Sequence, residues 1–158
     1  MTPDELCADA PILAYAAGEV LLREGQSTGK LFILVEGAVE VVKDNFQINV
    51  VADRGAMFGE MSALLDTPHT ATVRTLTECK LRLIEGGAAF LREHQELAFF
   101  LAQLLAQRLQ GVNAYLVDVK RQFADQQNHL GIVDEVLESL LQEQRRSFTP
   151  GSDREPEY

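Results

Sequence analysis

The residues best suited to chemistry lie in one run, Phe58-Gly-Glu-Met-Ser-Ala-Leu-Leu-Asp-Thr-Pro-His-Thr-Ala-Thr-Val73. Gly59 stands where a strand gives way to a short helical turn. A glycine there lets the backbone approach a bound molecule closely, and the free amides of a helix start attract an anion. Glu60 falls in that first turn, where a carboxylate can accept hydrogen bonds from a diol. Pro68 then turns the chain, and Thr70-Ala-Thr-Val73 returns it as a strand with further backbone amides. Singly, Glu60 also reads as an acid favoured by the helix dipole, and Thr70 as an ordinary strand residue. The signal is in the ordered string. Elsewhere His69, His94 and His129 are scattered, and no His and Glu ligands cluster on neighbouring strands as a metal would need. No Ser-His-Asp or Cys-His constellation presents itself either. The expectation is a binding protein that is not an enzyme, with no catalytic residue, metal or cofactor.

The elements that must position this run fall into zones. From Pro11 to about Glu85, short β-rich runs (Leu31 to Val35, Ala38 to Val42, Ile48 to Val51, Thr70 to Thr75, Leu81 to Ile84) alternate with turn signals at Glu36-Gly37 and Asp44-Asn45. Glycines at 18, 25, 37, 55 and 59 punctuate them. Many short strands with glycine turns suggest a sandwich, roll or barrel. From Ala88 to about Gln126 the chain lacks proline and is rich in Ala, Leu, Gln and Arg, which is helical texture. Leu109, Val112, Leu116, Val119 and Phe123 recur in steps of three and four, a heptad seam whose phase continues to Leu130, Val133, Leu137 and Leu140. Sustained heptads predict a dimeric coiled coil with those five residues in its interface. Asn128-His-Leu-Gly131 is a possible break. Beyond it Val136, Leu137, Leu140 and Leu141 form a wider stripe, suited to packing back on the body, across a dimer or against another protein. The expected division is residues 1–95 as a β-rich ligand-binding domain (the β-roll that the resemblance given below implies), 96–146 as a helical or coiled-coil region, and 147–158 as a disordered tail.

Composition narrows the function. A net charge of −10 and a pI near 4.7 disfavour nucleic-acid binding, which rests on Lys and Arg displacing counterions from phosphates. Cys7 and Cys79 stand alone, without CxxC spacing, and argue against a zinc site or a disulfide scaffold. The acidic N-terminus carries no signal core and no stretch has the length of a membrane span, so the chain reads as cytoplasmic, with no membrane partner.

The run from Phe58 to Val73 resembles the phosphate-binding cassette of the cyclic-nucleotide-binding domains, a family that includes the catabolite activator protein and the regulatory subunits of protein kinase A. Gly25, Gly37 and Gly55 match the family's glycine turns, and the resemblance extends roughly from Gly18 to Phe123. It implies a mostly β fold with added helices: an antiparallel β-roll of the jelly-roll type, flanked by short helices and closed by a long C-terminal dimerisation helix. It also implies that Phe58, Gly59, Glu60, Met61, Ser62, His69, Thr70 and Ala71 line a site for cyclic AMP or cyclic GMP. Within it Gly59 and the amides after it would contact phosphate, Glu60 the ribose 2′-hydroxyl, and Thr70 and Ala71 the cyclic phosphate. Arg108 and Asn113 fall approximately where some members contact the purine.

Two positions depart from the family. His69 stands where the cassette normally has an arginine, whose planar fork makes the main charge-assisted phosphate contact. Losing such a bond costs on the order of 1.5–3 kcal/mol, or roughly 10- to 100-fold in affinity. An imidazole titrates near pH ~6.5, so binding through a charged His69 would weaken as pH rises. Ala63 replaces a larger aliphatic residue. The resemblance therefore allows a dimeric sensor that binds cyclic nucleotide, weakly if through His69. It also allows a degenerate roll that has lost this ligand and serves as a protein-interaction or dimerisation module. A fragment of a transcriptional regulator is a minor third reading, since too few residues follow Phe123 for the family's DNA-binding domain.

Overall fold

The protein is described from a computed structural model, which covers residues 2–124 and 127–148, without the side chains of 127–130 and 144–148. A short helix α1 (Pro3–Leu6) precedes five strands: β1 (Ile12–Tyr15), β2 (Val20–Leu22), β3 (Leu31–Glu36), β4 (Val39–Lys43) and β5 (Phe46–Val51). Then come β6 (Met57–Phe58), helix α2 (Glu60–Leu65), β7 (Thr72–Thr75) and β8 (Cys79–Ile84). Three helices follow: α3 (Gly87–Glu93), α4 (Gln95–Gln122) and α5 (Gln127–Phe148). Contacts divide the chain into two compact units, Met1–Ala102 and Gln103–Tyr158. The division falls inside α4, because its first two turns bury Leu97 and Leu101 in the first unit.

The first unit is a β-roll of two four-stranded antiparallel sheets, ordered β1-β8-β3-β6 and β2-β7-β4-β5. Its core cluster takes Phe32, Leu34, Phe58 and Leu81 from one sheet and Leu22, Val39 and Val73 from the other, so the interior lies between them. The uninterrupted apolar run of β3 follows from its central place. Phe32 and Leu34 face the core, while Leu31 and Ile33, on the opposite face, are also fully buried. Asp44 and Asn45, with φ of 51° and 66°, form a two-residue hairpin turn of the kind whose twist matches the flanking strands. Gly37 is obligatory for a different reason: a Cβ there would lie 2.5 Å from the Glu78 carbonyl oxygen. The N-terminal helix is fastened by Asp4, buried between Arg82 (Nε to Oδ1, 2.5 Å) and Arg54 (Nη2 to Oδ2, 2.6 Å). The Arg82 hydrogen bond, with help from Arg54, holds the Asp4 carboxyl below its usual range despite burial.

In the second unit the sequence pattern and the structure part company over the seam. One continuous helical phase from Leu109 to Leu140 is interrupted, because α4 stops at Gln122 and Phe123–Ala124 form a turn. The break lies earlier than the Asn128–Gly131 signal, which sits within α5. A Lys120–Asp134 ion pair joins the two helices. Fourteen residues of straight helix would hold these groups roughly 21 Å apart, so the chain turns between α4 and α5 and brings Asp134 back to the end of α4. Val133 is buried and Leu109, Leu116, Val119 and Phe123 are half-buried, whereas Val112 is exposed. The Leu130 side chain and the tail from residue 149 onward fall outside the described residues.

Candidate functional site

The run singled out by sequence folds as strand, glycine, one short helix and return strand. Phe58 ends β6 opposite Phe32 of β3, and its ring is in the core. Gly59 follows as the cap of α2 with φ +90°, and a Cβ there would fall 2.4 Å from the carbonyl oxygen of Lys30. Only glycine fits both the dihedral and the space. The first helical hydrogen bond runs from Ala63 N–H to the Gly59 carbonyl at 3.1 Å, which leaves the amides of Glu60, Met61 and Ser62 outside the helical ladder. Glu60 is buried at 8% exposure and Met61 is exposed. The Ser62 hydroxyl donates to the Thr67 carbonyl and ties the end of α2 to the segment that follows.

His69 is the most deeply buried residue of that segment, at 4% exposure. Its Nε2 lies 2.7 Å from the Thr28 hydroxyl, its N–H donates to the Gln26 carbonyl (2.9 Å), and its carbonyl accepts from Gly25 N–H (2.9 Å). Burial lowers the His69 pKa below the ordinary imidazole value, which favours the neutral ring. Thr70 is exposed and Ala71 half-buried, both just ahead of β7. The carbonyl of Thr70 accepts from Lys43 Nζ at 2.9 Å, and the Thr72 hydroxyl accepts from Glu24 N–H at 3.0 Å. The stretch from Glu24 to Lys30 thus touches both ends of the run. Its Lys30 carbonyl abuts Gly59, and its Gly25, Gln26 and Thr28 grip His69.

Phe58 to Ser62 and His69 to Ala71 therefore belong to one assembly in the first unit. Arg108, exposed, and Asn113, half-buried, lie on α4 within the second unit. Ala63 is buried, and a Cβ on Gly87 of α3 would come 3.2 Å from its methyl. A cavity of about 170 Å³, lined by Ser27, Gly29, Ser62, Ala63, Thr67 and Gly87 among others, opens beside that methyl, where a larger aliphatic would have gone. Sequence reasoning missed Thr28 and Lys43. Both pair with residues more than twenty positions away, and nothing in their local spacing announces it. Among the described residues no cluster of His, Cys, Asp or Glu is arranged for a metal, and no helix is long and apolar enough to cross a membrane.

Comparison with known proteins agrees with the β-roll fold. Residues 12–95 match the family model described as "Cyclic nucleotide-binding domain". The chain is 32% identical over 69 residues to the cAMP-dependent protein kinase regulatory subunit of Schizosaccharomyces pombe. That match covers 44% of this chain and 17% of that protein, so the chain spans only a small part of the length of such curated relatives. The solved N-terminal domain of a transcriptional regulator from Streptomyces coelicolor A3(2) is 31% identical, with a TM-score of 0.51 over 70% of this chain and 81% of that one. The structure of PKAR CBD2 bound to Sp-2Cl-cAMPS has a TM-score of 0.58 at 23% identity, over 70% and 75% of the two chains, and speaks for the fold.

Proposed function

Because the chain belongs to the cyclic nucleotide-binding domain family, we propose that it is a dimeric sensor module that binds cyclic AMP or cyclic GMP at the Gly59–Ala71 run and catalyses nothing. The observation that carries this reading is the local geometry of the run. Gly59 packs on the Lys30 carbonyl, three amides stay outside the α2 ladder, and Glu60 stands beside them. Those amides suit a phosphate, and the carboxylate suits a ribose hydroxyl.

Signal transmission is read from α4. The helix starts in the β-roll unit, where Leu97 and Leu101 are buried, and its residues from Gln103 belong to the second unit. A ligand that shifts its first turns biases everything downstream. Dimerisation is supported by apolar side chains that the hairpin leaves uncovered. Helical periodicity places Val112, Tyr115 and Val119 on one side of α4, and Ile132 and Val136 on one side of α5. Tyr115 and Ile132 are 68% and 63% exposed. The dimer seam is then a face of the hairpin, with Leu109, Leu116 and Phe123 partly used within the chain.

One observation favours the second reading, a roll that has given up the nucleotide and serves protein contacts: His69 is turned inward onto Thr28, so it offers an anion no fixed charge. Isothermal titration of the full chain with cyclic AMP and cyclic GMP at pH 6 and 7.5 decides between them. The sensor reading expects micromolar binding by wild type that tightens roughly 10-fold or more in His69→Arg, the gain of a charge-assisted bond. No heat from either protein leaves the interaction module.

A further inference from the structure

If His69 is neutral and buried, a phosphate at this site needs its positive charge from elsewhere. The geometry points to Lys43 as the cation that holds the anionic group of the ligand, a role that rests on the cyclic-nucleotide reading above.

Lys43 is the last residue of β4, far in sequence from the cassette. The β4–β7 ladder pairs Val41 with Val73 and Val42 with Thr72, and its next step sets Lys43 opposite Ala71. Alternation puts Lys43 and Ala71 on the same face as Val39, Val41 and Val73, the inner face of the roll. The side chain reaches across the strand pair, and its ammonium donates to the Thr70 carbonyl at 2.9 Å. Glu24 Oε1 lies 3.8 Å away, too long for a hydrogen bond, and helps keep the ammonium on the β7 side. An ammonium has three donors, and Thr70 uses one. The side chain is about half exposed, so its remaining donors are open to solvent.

Arg74 does not compete for this role. It alternates onto the outer face of the same sheet, where its guanidinium is paired with the buried carboxylate of Glu40. Lys43 therefore stands in for the cassette cation by contributing a point charge from a neighbouring strand. A lysine gives no bidentate fork, and the site would grip a phosphate less tightly than the family's arginine does.

The test is titration of the full chain with cyclic AMP and cyclic GMP, comparing wild type with Lys43→Gln, Lys43→Arg and the control Lys80→Gln. Lys80 lies on β8 in the other sheet, paired with Glu36. Lys43→Gln is expected to weaken binding about tenfold and to flatten the dependence of affinity on salt. Lys43→Arg is expected to stay within about threefold of wild type, because the charge is kept, and Lys80→Gln to match it. Melting curves that overlay wild type show that Lys43→Gln is folded. Wild type that binds while Lys43→Gln binds equally well overturns the assignment alone. Wild type that binds neither nucleotide overturns the sensor reading, and this assignment with it.

Discussion

The β-roll unit and the helical unit draw on the same apolar residue types but bury them to very different depths. In the roll, Leu31, Ile33, Leu34, Val39 and Leu81 lose all contact with solvent. In the helices beyond Ala102, Val133 alone among the described side chains is buried, while Val112, Tyr115, Ile132 and Val136 stay exposed. Two sheets closed on each other have an inside, and they fill it. A pair of helices has one shared face, and residues on the remaining faces wait for a third surface. The roll thus has a filled interior and carries the candidate site, although Phe46, Ile48 and Val50 of β5 are exposed, whereas the helices beyond Ala102 bury little. Polar groups follow the same division. The roll buries Asp4, Glu40, Glu60 and His69, and the explanation in each resolved case is a partner brought from far along the chain.

The contrast can be broken most forcefully at Gly59. Gly59→Ala sets a methyl against the Lys30 backbone carbonyl in a left-handed conformation, so the cassette or the Glu24–Lys30 stretch must move. Chemical denaturation is expected to show a loss on the order of 3 kcal/mol or more, with nucleotide binding abolished. An alanine variant as stable as wild type would mean that Gly59 does not pack on the Lys30 carbonyl.

A charge on the uncovered hairpin face should leave the roll intact. Val136→Asp is expected to turn a dimer into a monomer by light scattering while shifting stability of the roll by no more than about 0.5 kcal/mol. Persistence of the wild-type mass would remove the hairpin face from the interface.

The smallest effect concerns His69. Its folded pKa lies below the unfolded value near ~6.5 because burial penalises the charged ring. The stability it contributes is therefore present above that pH and is lost as pH falls towards and through the folded pKa. Ligand-free protein should lose stability through this group as pH falls below ~6.5, and His69→Gln should lack that component. Equal slopes for the two proteins would place the His69 ring in solvent.

Much of the roll could be read directly from local sequence. The strands from Leu31, Val39 and Phe46, the Asp44-Asn45 turn and the glycine at 59 each have a local signature of alternation, turn chemistry or a demanded dihedral. The edge strands β1 and β2 and the two-residue β6 carry weak signatures, because short strands at a sheet margin have few residues with which to show a period. The heptad seam was legible as an apolar stripe but misleading about continuity. Nothing in a period of 3.5 says that the chain will turn at Phe123, and leucines shared by an intramolecular hairpin obey the same spacing as those of a dimer.

For the candidate site, the sequence by itself determined the order of groups: a glycine that must be glycine, an acid in the first turn after it, and a histidine where the family has arginine. The physical reason is that local dihedrals and helix starts are set within a few residues. Only the tertiary structure decided what His69 does, since its partner Thr28 lies 41 residues away and its depth depends on the loop folded over it. Only it brought Lys43 to the Thr70 carbonyl, across 27 residues. Side-chain charge at a site is a sum over neighbours in space, and a linear sequence gives neighbours along the chain.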